Sequence, residues 1–483
     1  MDAEEFRRLG HQLIDWIADY RTSIERYPVM SQVEPGAIKA RLPEIPPESA
    51  ESLDGLFAEI ERDILPGLSH WQHPRFFGYF PANAPLESVL GDYLSTGLGV
   101  LGLSWQSSPA LTEVEEVTTD WVRRMVGLSD AWSGVIQDTA STSALVALIC
   151  ARERVSGFAL AGGGLQAEPR PLMVYASRQA HSSVEKAALL AGFGRDNLRW
   201  IETDHDHAIN ADALATAIAT DLARDLRPCA VVATVGTTAT TAIDPIAAIA
   251  AVTGKHGLWL HVDTAMAGSA MILPEYRWMW EGIEGADSLV INAHKWLGVA
   301  FDCSLYYVRD PQHLVRVMST NPSYLQTAVD ARVKNLRDWG IPLGRRFRAL
   351  KLWLAIRANG VSGLQARLRR DLANARWLAD AVGRAPHWRV LTPVPLQTVC
   401  LRHEPPGLAD DALDRHTLDW CDRVNRSGAA YLTPATLDGR WMVRVSIGAV
   451  PTERGHVEAL WRAMRGAAEQ PERASRTPWE HHD

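Results

Sequence analysis

From about residue 130 the chain alternates short apolar runs with helix-patterned segments, and this alternation restricts its fold more than any other feature. The runs "PLMVYAS" (171–177), "CAVVATVG" (229–236), "LWLHVDTA" (258–265), "SLVINA" (288–293) and "SLYYVR" (304–309) read as strands. Segments such as "HSSVEKAALLAG" and "IAAIAAVTGKHG" lie between them and carry helical periodicity. Strands that are apolar on both faces need cover on both faces. The expected fold is therefore α/β, with a mostly parallel central sheet and helices on either side. In such sheets ligands sit beyond the carboxyl ends of the strands, so reactive side chains are sought there.

The remainder of the chain is organised differently. Phe6, Leu9, Leu13, Ile17 and Tyr20 recur at helical spacing, and a proline-rich connector, "LPEIPPES", follows at 42–49. After about residue 366 an Arg- and Ala-rich helix leads into a smaller α+β region. At 483 residues the chain exceeds the size of one core. We expect an N-terminal helical segment (1–85), a large domain (86–366) and a small C-terminal domain (367–483). A net charge of −8 without a basic run argues against nucleic acid as a partner. The five cysteines are scattered and never form a CxxC pair, as expected for reduced thiols in a cytoplasm. No apolar run reaches membrane-spanning length, and the N-terminus has no signal-peptide core.

Reactive residues do collect at the strand ends. Lys295 follows directly on the apolar run 288–293, where an ammonium costs several kcal/mol unless it is paired or chemically used. Asp263 ends "LWLHVD". His181 precedes a helix whose Ser182 and Glu185 have capping-box spacing. Thr139, Ala140 and Ser141 begin a helix that is apolar nearly all round, leaving N–H groups for an anion. Asn292 and His294 flank the lysine. Each has a bland reading alone. Together, an anion cradle, a carboxylate, an imidazole and a strand-end lysine are the parts that hold pyridoxal 5′-phosphate (PLP). Lys295 would bind the cofactor aldehyde, Asp263 would keep the pyridine nitrogen protonated, and His181 and the Ala265 methyl would cover the two ring faces.

Ordered motifs extend this reading along nearly the whole chain: "HWQHPRFFGYFPA", "SWQSSPALTEVEEVTTDW", "GVIQDTAST", "ASRQAHSSVEKA", "ATVGTT", "HVDTAMAGSA", "NAHKWLGVAFDCS", "NPSYL" and "WGIPLGRRFRALKLW". The sequence resembles the group II PLP-dependent decarboxylases, most closely the aromatic-L-amino-acid decarboxylases. The resemblance implies fold-type I architecture and an obligate homodimer with active sites at the interface. It matches Lys295 to the cofactor-bearing lysine, Asp263 to the pyridinium partner and His181 to the stacking histidine. Ala140, Ser141 and Asn292 match phosphate contacts, with His294 beside them. Thr237 or Thr238 matches a cofactor-contacting threonine.

The same resemblance bears on reaction and substrate. Tyr324, in "NPSYL", matches a loop tyrosine associated with amine formation, where aldehyde-forming relatives tend to carry phenylalanine; some of those relatives also replace the His181 equivalent by asparagine. The loop from Pro322 to Lys334 is expected to close over substrate. Trp71, Phe80, Pro81, Ala82 and Gly360 match the substrate pocket, with Leu101 and Leu103 supplied by the partner subunit. These residues are apolar or small, so a glutamate side chain would be left unpaired. Aromatic L-amino acids are the expected substrates, and an aromatic aldehyde synthase is the nearest alternative. Ala82, Leu103 and Asp138 depart from the family's usual hydroxyl residue, phenylalanine and glycine. The helix expected in "IPLGRRFRALKLWLAIR" is given no catalytic role. Neither "DHDH" (204–207) nor "EHHD" (480–483) is read as a metal site.

Overall fold

The computed structural model describes residues 1–320, 323, 329–408 and 410–470. They form two compact units, one made of residues 82–372 with 392–398, the other of residues 1–81, 373–391 and 399 onward.

The larger unit is built on a seven-stranded sheet. Its strands are β1 (Ser133–Gln137), β2 (Leu172–Ser177), β3 (Leu198–Ile201), β4 (Arg227–Thr234), β5 (Trp259–Asp263), β6 (Ser288–Asn292) and β7 (Ser304–Val308). They are ordered β1-β7-β6-β5-β4-β2-β3. Only β7 runs against the rest, pairing antiparallel with both β1 and β6. The carboxyl ends of β1, β2, β4, β5 and β6 therefore share one edge. All five expected strands form. The sequence reading missed β1, a five-residue run leading straight into a turn, and β3, whose "LRWI" carries the charged Arg199.

β2, β5, β6 and β7 are buried at every position, each large aliphatic side chain contributing about 1.5–3 kcal/mol. His261 is tolerated inside β5 because its Nδ1 lies 2.9 Å from the Ser288 hydroxyl, while burial pushes its pKa down to about 4 and keeps it neutral. The helices Ser183–Leu190 and Ile246–His256 fall where helical periodicity placed them. All five cysteines are buried and unbridged. Among the described residues no helix is long and apolar enough to cross a membrane.

In the smaller unit β8 (Trp388–Val390), β9 (Thr398–His403), β10 (Thr433–Leu437) and β11 (Arg440–Ser446) form an antiparallel-paired sheet ordered β10-β11-β9-β8. The first 81 residues join this unit rather than standing alone. Phe77 donates its N–H to Tyr431 at 2.9 Å and accepts one from Ser446 at 2.9 Å, and Val29 donates to Gly428 at 3.0 Å.

The segment 341–348 departs from the helix expected there. The helix begins only at Ala349, because the arginines before it are drawn into ion pairs off the helical path. Arg345, 2% exposed, donates to Glu115 Oε1 and to the Ile136 carbonyl, both at 2.6 Å. Glu115 Oε1 also accepts the Ile136 N–H at 2.8 Å. Arg348 grips Asp302 with two nitrogens, at 3.0 and 3.1 Å. Helical geometry fails again at Gly360, whose φ of +60° favours glycine. Replacing Glu115 by alanine leaves Arg345 buried without its carboxylate. The variant should lose about 3–5 kcal/mol of unfolding free energy, read as a lower urea midpoint.

Candidate active site

Lys295 sits in a tight turn, Ala293–Leu297, that interrupts the path out of β6. The turn is pinned from two sides. Asn83 donates its backbone N–H to the His294 carbonyl at 3.2 Å and its side-chain Nδ2 to the Lys295 carbonyl at 3.0 Å. Arg367 donates to the carbonyls of Trp296 (2.9 Å) and Leu297 (2.7 Å). Gly298 ends the turn at φ +81°, and a Cβ there would come within 2.3 Å of the Arg367 guanidinium, so both backbone geometry and space demand glycine. Trp296 Nε1 donates to buried Asp371 at 3.0 Å, which turns the indole inward. With the backbone held and its neighbours buried, Lys295 is the half-buried member that reaches the sheet edge.

Asp263, 8% exposed, ends β5 with its Oδ1 accepting the Ala265 N–H at 2.9 Å. β5 and β6 are tied at this level by the Asn292 N–H donating to the Ala265 carbonyl, also at 2.9 Å. His181 stands at the mouth of the sheet within electrostatic reach of both Asp263 and Lys295. Burial lowers the imidazole's pKa from its ordinary 6.5; Asp263 opposes that shift and Lys295 adds to it. The expected capping box does not form: neither Ser182 nor any other side chain at the cap position bonds the helix start, and Glu185 pairs instead with Arg195. His181 takes over part of the task. Its Nδ1 accepts the Ser183 N–H at 3.1 Å and lies 2.8 Å from the Ser183 hydroxyl. A neutral ring that accepts at Nδ1 carries its proton on Nε2.

Beyond β1, the helix Ala140–Ser156 starts with no side-chain bond from Thr139. The N–H groups at Ala140 and Ser141 thus face an end where the helix dipole favours an anion. Asp138 Oδ1 accepts the Thr139 N–H at 2.6 Å, one residue before the helix begins. Arg348 supplies positive charge that interacts with it. The two threonines also separate. The Thr237 hydroxyl is buried inside its turn, 2.9 Å from that of Thr240 and accepting the Ala242 N–H at 3.0 Å. Thr238 is half-exposed. Asn292 Oδ1 accepts from Ser304 at 2.6 Å, which leaves its amide nitrogen as the donating end. An amine, a buried carboxylate, a flat imidazole and an N-terminal helix cradle on one edge fit a phosphorylated pyridine aldehyde.

His294 turns elsewhere. Its Nδ1 accepts the Cys303 N–H at 2.9 Å, its ring lies 4.8 Å from that of Phe301, and burial pushes its pKa down to about 4, so its imidazole is occupied with the following loop. Ala82 adjoins the Asn83 clamp. Gly360 would project a Cβ into open space. Leu101 is 54% exposed, and Leu103 is half-buried. In the other unit Trp71 stacks on Phe76 at 4.4 Å, Phe80 lies 5.0 Å from the Arg444 guanidinium, and Pro81 is buried. Tyr324 lies outside the described residues, as do residues 322 and 325–328 of its loop and 480–483. In "DHDH", Asp204 Oδ1 accepts the N–H groups of Asp206 and Ala208, the work of a turn. Asn83 and Arg367 were missed by sequence reasoning, since neither carries a local signal.

Residues 35–404 match the family described as the pyridoxal-dependent decarboxylase conserved domain. Tryptophan decarboxylase 2 of Oryza sativa subsp. japonica is 40% identical over 97% of this chain and 95% of the relative. The phenylacetaldehyde synthase of Arabidopsis thaliana is also 40% identical, over 97% and 96%. The structure of Oryza sativa TDC with PLP and tryptamine superposes with a TM-score of 0.93 at 34% identity, covering 97% of this chain and 98% of that one. Catharanthus roseus tryptophan decarboxylase in complex with L-tryptophan gives 0.91 at 37%, covering 97% and 99%. With the match spanning most of its length and the lysine, carboxylate and imidazole gathered at one sheet edge, the chain belongs to the pyridoxal-dependent decarboxylase family.

Proposed function

We propose that this chain decarboxylates aromatic L-amino acids of the tryptophan, phenylalanine, tyrosine and dopa class, releasing the arylethylamine and carbon dioxide. The observation that supports this reading is the likeness, along 97% of the chain, to tryptophan decarboxylases, one of them solved with L-tryptophan. When bound, PLP supplies an electron sink for the pair left on Cα as the carboxylate departs. The protein's residues do the rest. Lys295 anchors the cofactor, from a backbone that Asn83 and Arg367 hold in place. Asp263 would partner the ring nitrogen and favour its protonated form. His181, with its Nδ1 engaged by Ser183, would stack on the ring. Ala140, Ser141, Asn292 and Thr238 would hold the phosphate, with Thr238 favoured over Thr237 because the latter's hydroxyl is already engaged.

Tyr324 delivers the Cα proton, and the loop 322–334 keeps water away while it does so. Ala82 and Gly360, both small, would leave room for a large ring, and Trp71, Phe80 and Pro81 are the apolar residues that the family resemblance assigns to substrate. The enzyme works as a homodimer. Leu86, Leu90, Leu94 and Leu98 lie four residues apart on the helix Leu86–Leu98 and are 46 to 56% exposed, an apolar stripe suited to a second copy. Leu101 and Leu103, just beyond it, would then enter the partner's site. Five buried, unbridged thiols suit the reducing cytoplasm.

The second reading, an aromatic aldehyde synthase, is favoured by one fact: the phenylacetaldehyde synthase is as similar as the tryptophan decarboxylase. Purified enzyme assayed with Trp, Phe, Tyr, dopa, His and Glu should turn over the aromatic acids and neither His nor Glu, and Lys295→Ala should abolish both turnover and absorbance above 400 nm. Tyr324→Phe should divert product from amine to aldehyde with peroxide; an unchanged amine yield removes Tyr324 from this role. Because burial holds the His181 pKa below 6.5, kcat/KM should stay level down to about pH 6.5 and decline only below it. His181→Gln should remove that acid limb while lowering the plateau.

A further inference from the structure

The residue after Lys295 turns a fully buried indole onto a fully buried carboxylate, and the chemistry assigned above makes no use of that acid. Asp371 lies on the helix Ala349–Gly383, beyond its break at Gly360, and is 0% exposed. Its Oδ2 accepts the Trp296 Nε1–H at 3.0 Å, and its Oδ1 lies 3.3 Å from Arg370. An indole N–H needs only one acceptor, and a carbonyl or hydroxyl would supply it at less cost than a buried charge. A carboxylate here calls for a further reason. Arg367 stands one turn before Asp371 on the same face of the helix. Its Nη2 donates to the carbonyls of Trp296 (2.9 Å) and Leu297 (2.7 Å). Burial works against that cation, and Asp371 works for it.

One carboxylate thus serves two grips on the same turn. It binds the indole directly, and it stabilises the guanidinium that binds two backbone carbonyls. From the other side Asn83 binds the carbonyls of His294 and Lys295. The lysine backbone is therefore fixed between two clamps, and only its side chain is left to move. We propose that Asp371 is a positioning residue for Lys295, and that its charge, acting through Trp296 and Arg367, sets how firmly the amine is presented to an aldehyde-bearing cofactor. The inference rests on Lys295 being the residue that holds PLP. It adds an acid that touches neither cofactor nor substrate, reaching the site from a helix more than seventy residues along the chain.

The test compares two ligands on the full-length chain freed of cofactor. PLP can react with Lys295; pyridoxine 5′-phosphate has the same ring nitrogen and phosphate but carries an alcohol where PLP has its aldehyde. Affinities are measured by calorimetry at pH 8, where Asp371, pushed up to about 6 by burial, is ionised. The parent should prefer PLP. Asp371→Asn keeps an acceptor for the indole and loses the charge. It should cut that preference by about tenfold, the loss of one charge-assisted interaction, while binding pyridoxine 5′-phosphate as the parent does. Trp296→Phe keeps a ring and loses the N–H; it should shift the preference the same way, and it carries the test if the first variant does not fold. A general defect of the fold would weaken both ligands together, and that result overturns the proposal, as does an undiminished preference in the folded variants. A parent that binds the two ligands equally overturns the Lys295 assignment itself, and the proposal with it.

Discussion

The rest of the site depends on keeping an amine at the end of a fully buried strand. β6 is apolar and enclosed, so whatever follows it must either return to the core or be restrained at its edge. Here the restraint is backbone to side chain: Asn83 and Arg367 bind successive carbonyls of the turn, and Gly298 supplies the close approach. The ammonium is thereby held at the sheet edge instead of folding back into a core that cannot solvate it. The clamp residues come from far along the chain in both directions, which makes the position of Lys295 a property of the folded unit.

Strand order does the second part of the work. Because β7 is the single antiparallel member, β1 and β6 point the same way although β7 lies between them. The anion-favouring helix start after β1 is thus brought to the same edge as Asp263 and Lys295. A ligand spanning these groups meets a positive helix end at one side and a carboxylate at another, an arrangement matched to a phosphorylated, protonated ring. The buried Arg345–Glu115 pair sits under β1, bonded to the backbone of Ile136, and so supports the strand that delivers the cradle.

Much of this was legible in the linear chain. The apolar runs specified five strands, and residues at their ends specified the chemistry, because strand ends in a parallel sheet are where solvent and ligands can be reached. Ser182 and Glu185 show where local reasoning failed. Their spacing is that of a capping box, but His181 accepts the Ser183 N–H first and Arg195 claims the glutamate. The arginine-rich stretch 341–348 failed similarly: its periodicity is helical, and long-range carboxylates pulled it out of that geometry.

The sequence by itself determined the α/β class and the family, and it put a lysine, a carboxylate and an imidazole at strand ends, since those rest on residue types and their order. Tertiary structure alone decided which threonine hydroxyl was spent inside its own turn, which nitrogen of His181 carries the proton, and which distant residues hold the lysine's turn. Those outcomes depend on hydrogen bonds between residues remote in sequence or competing for one partner, and no local pattern ranks such competitors.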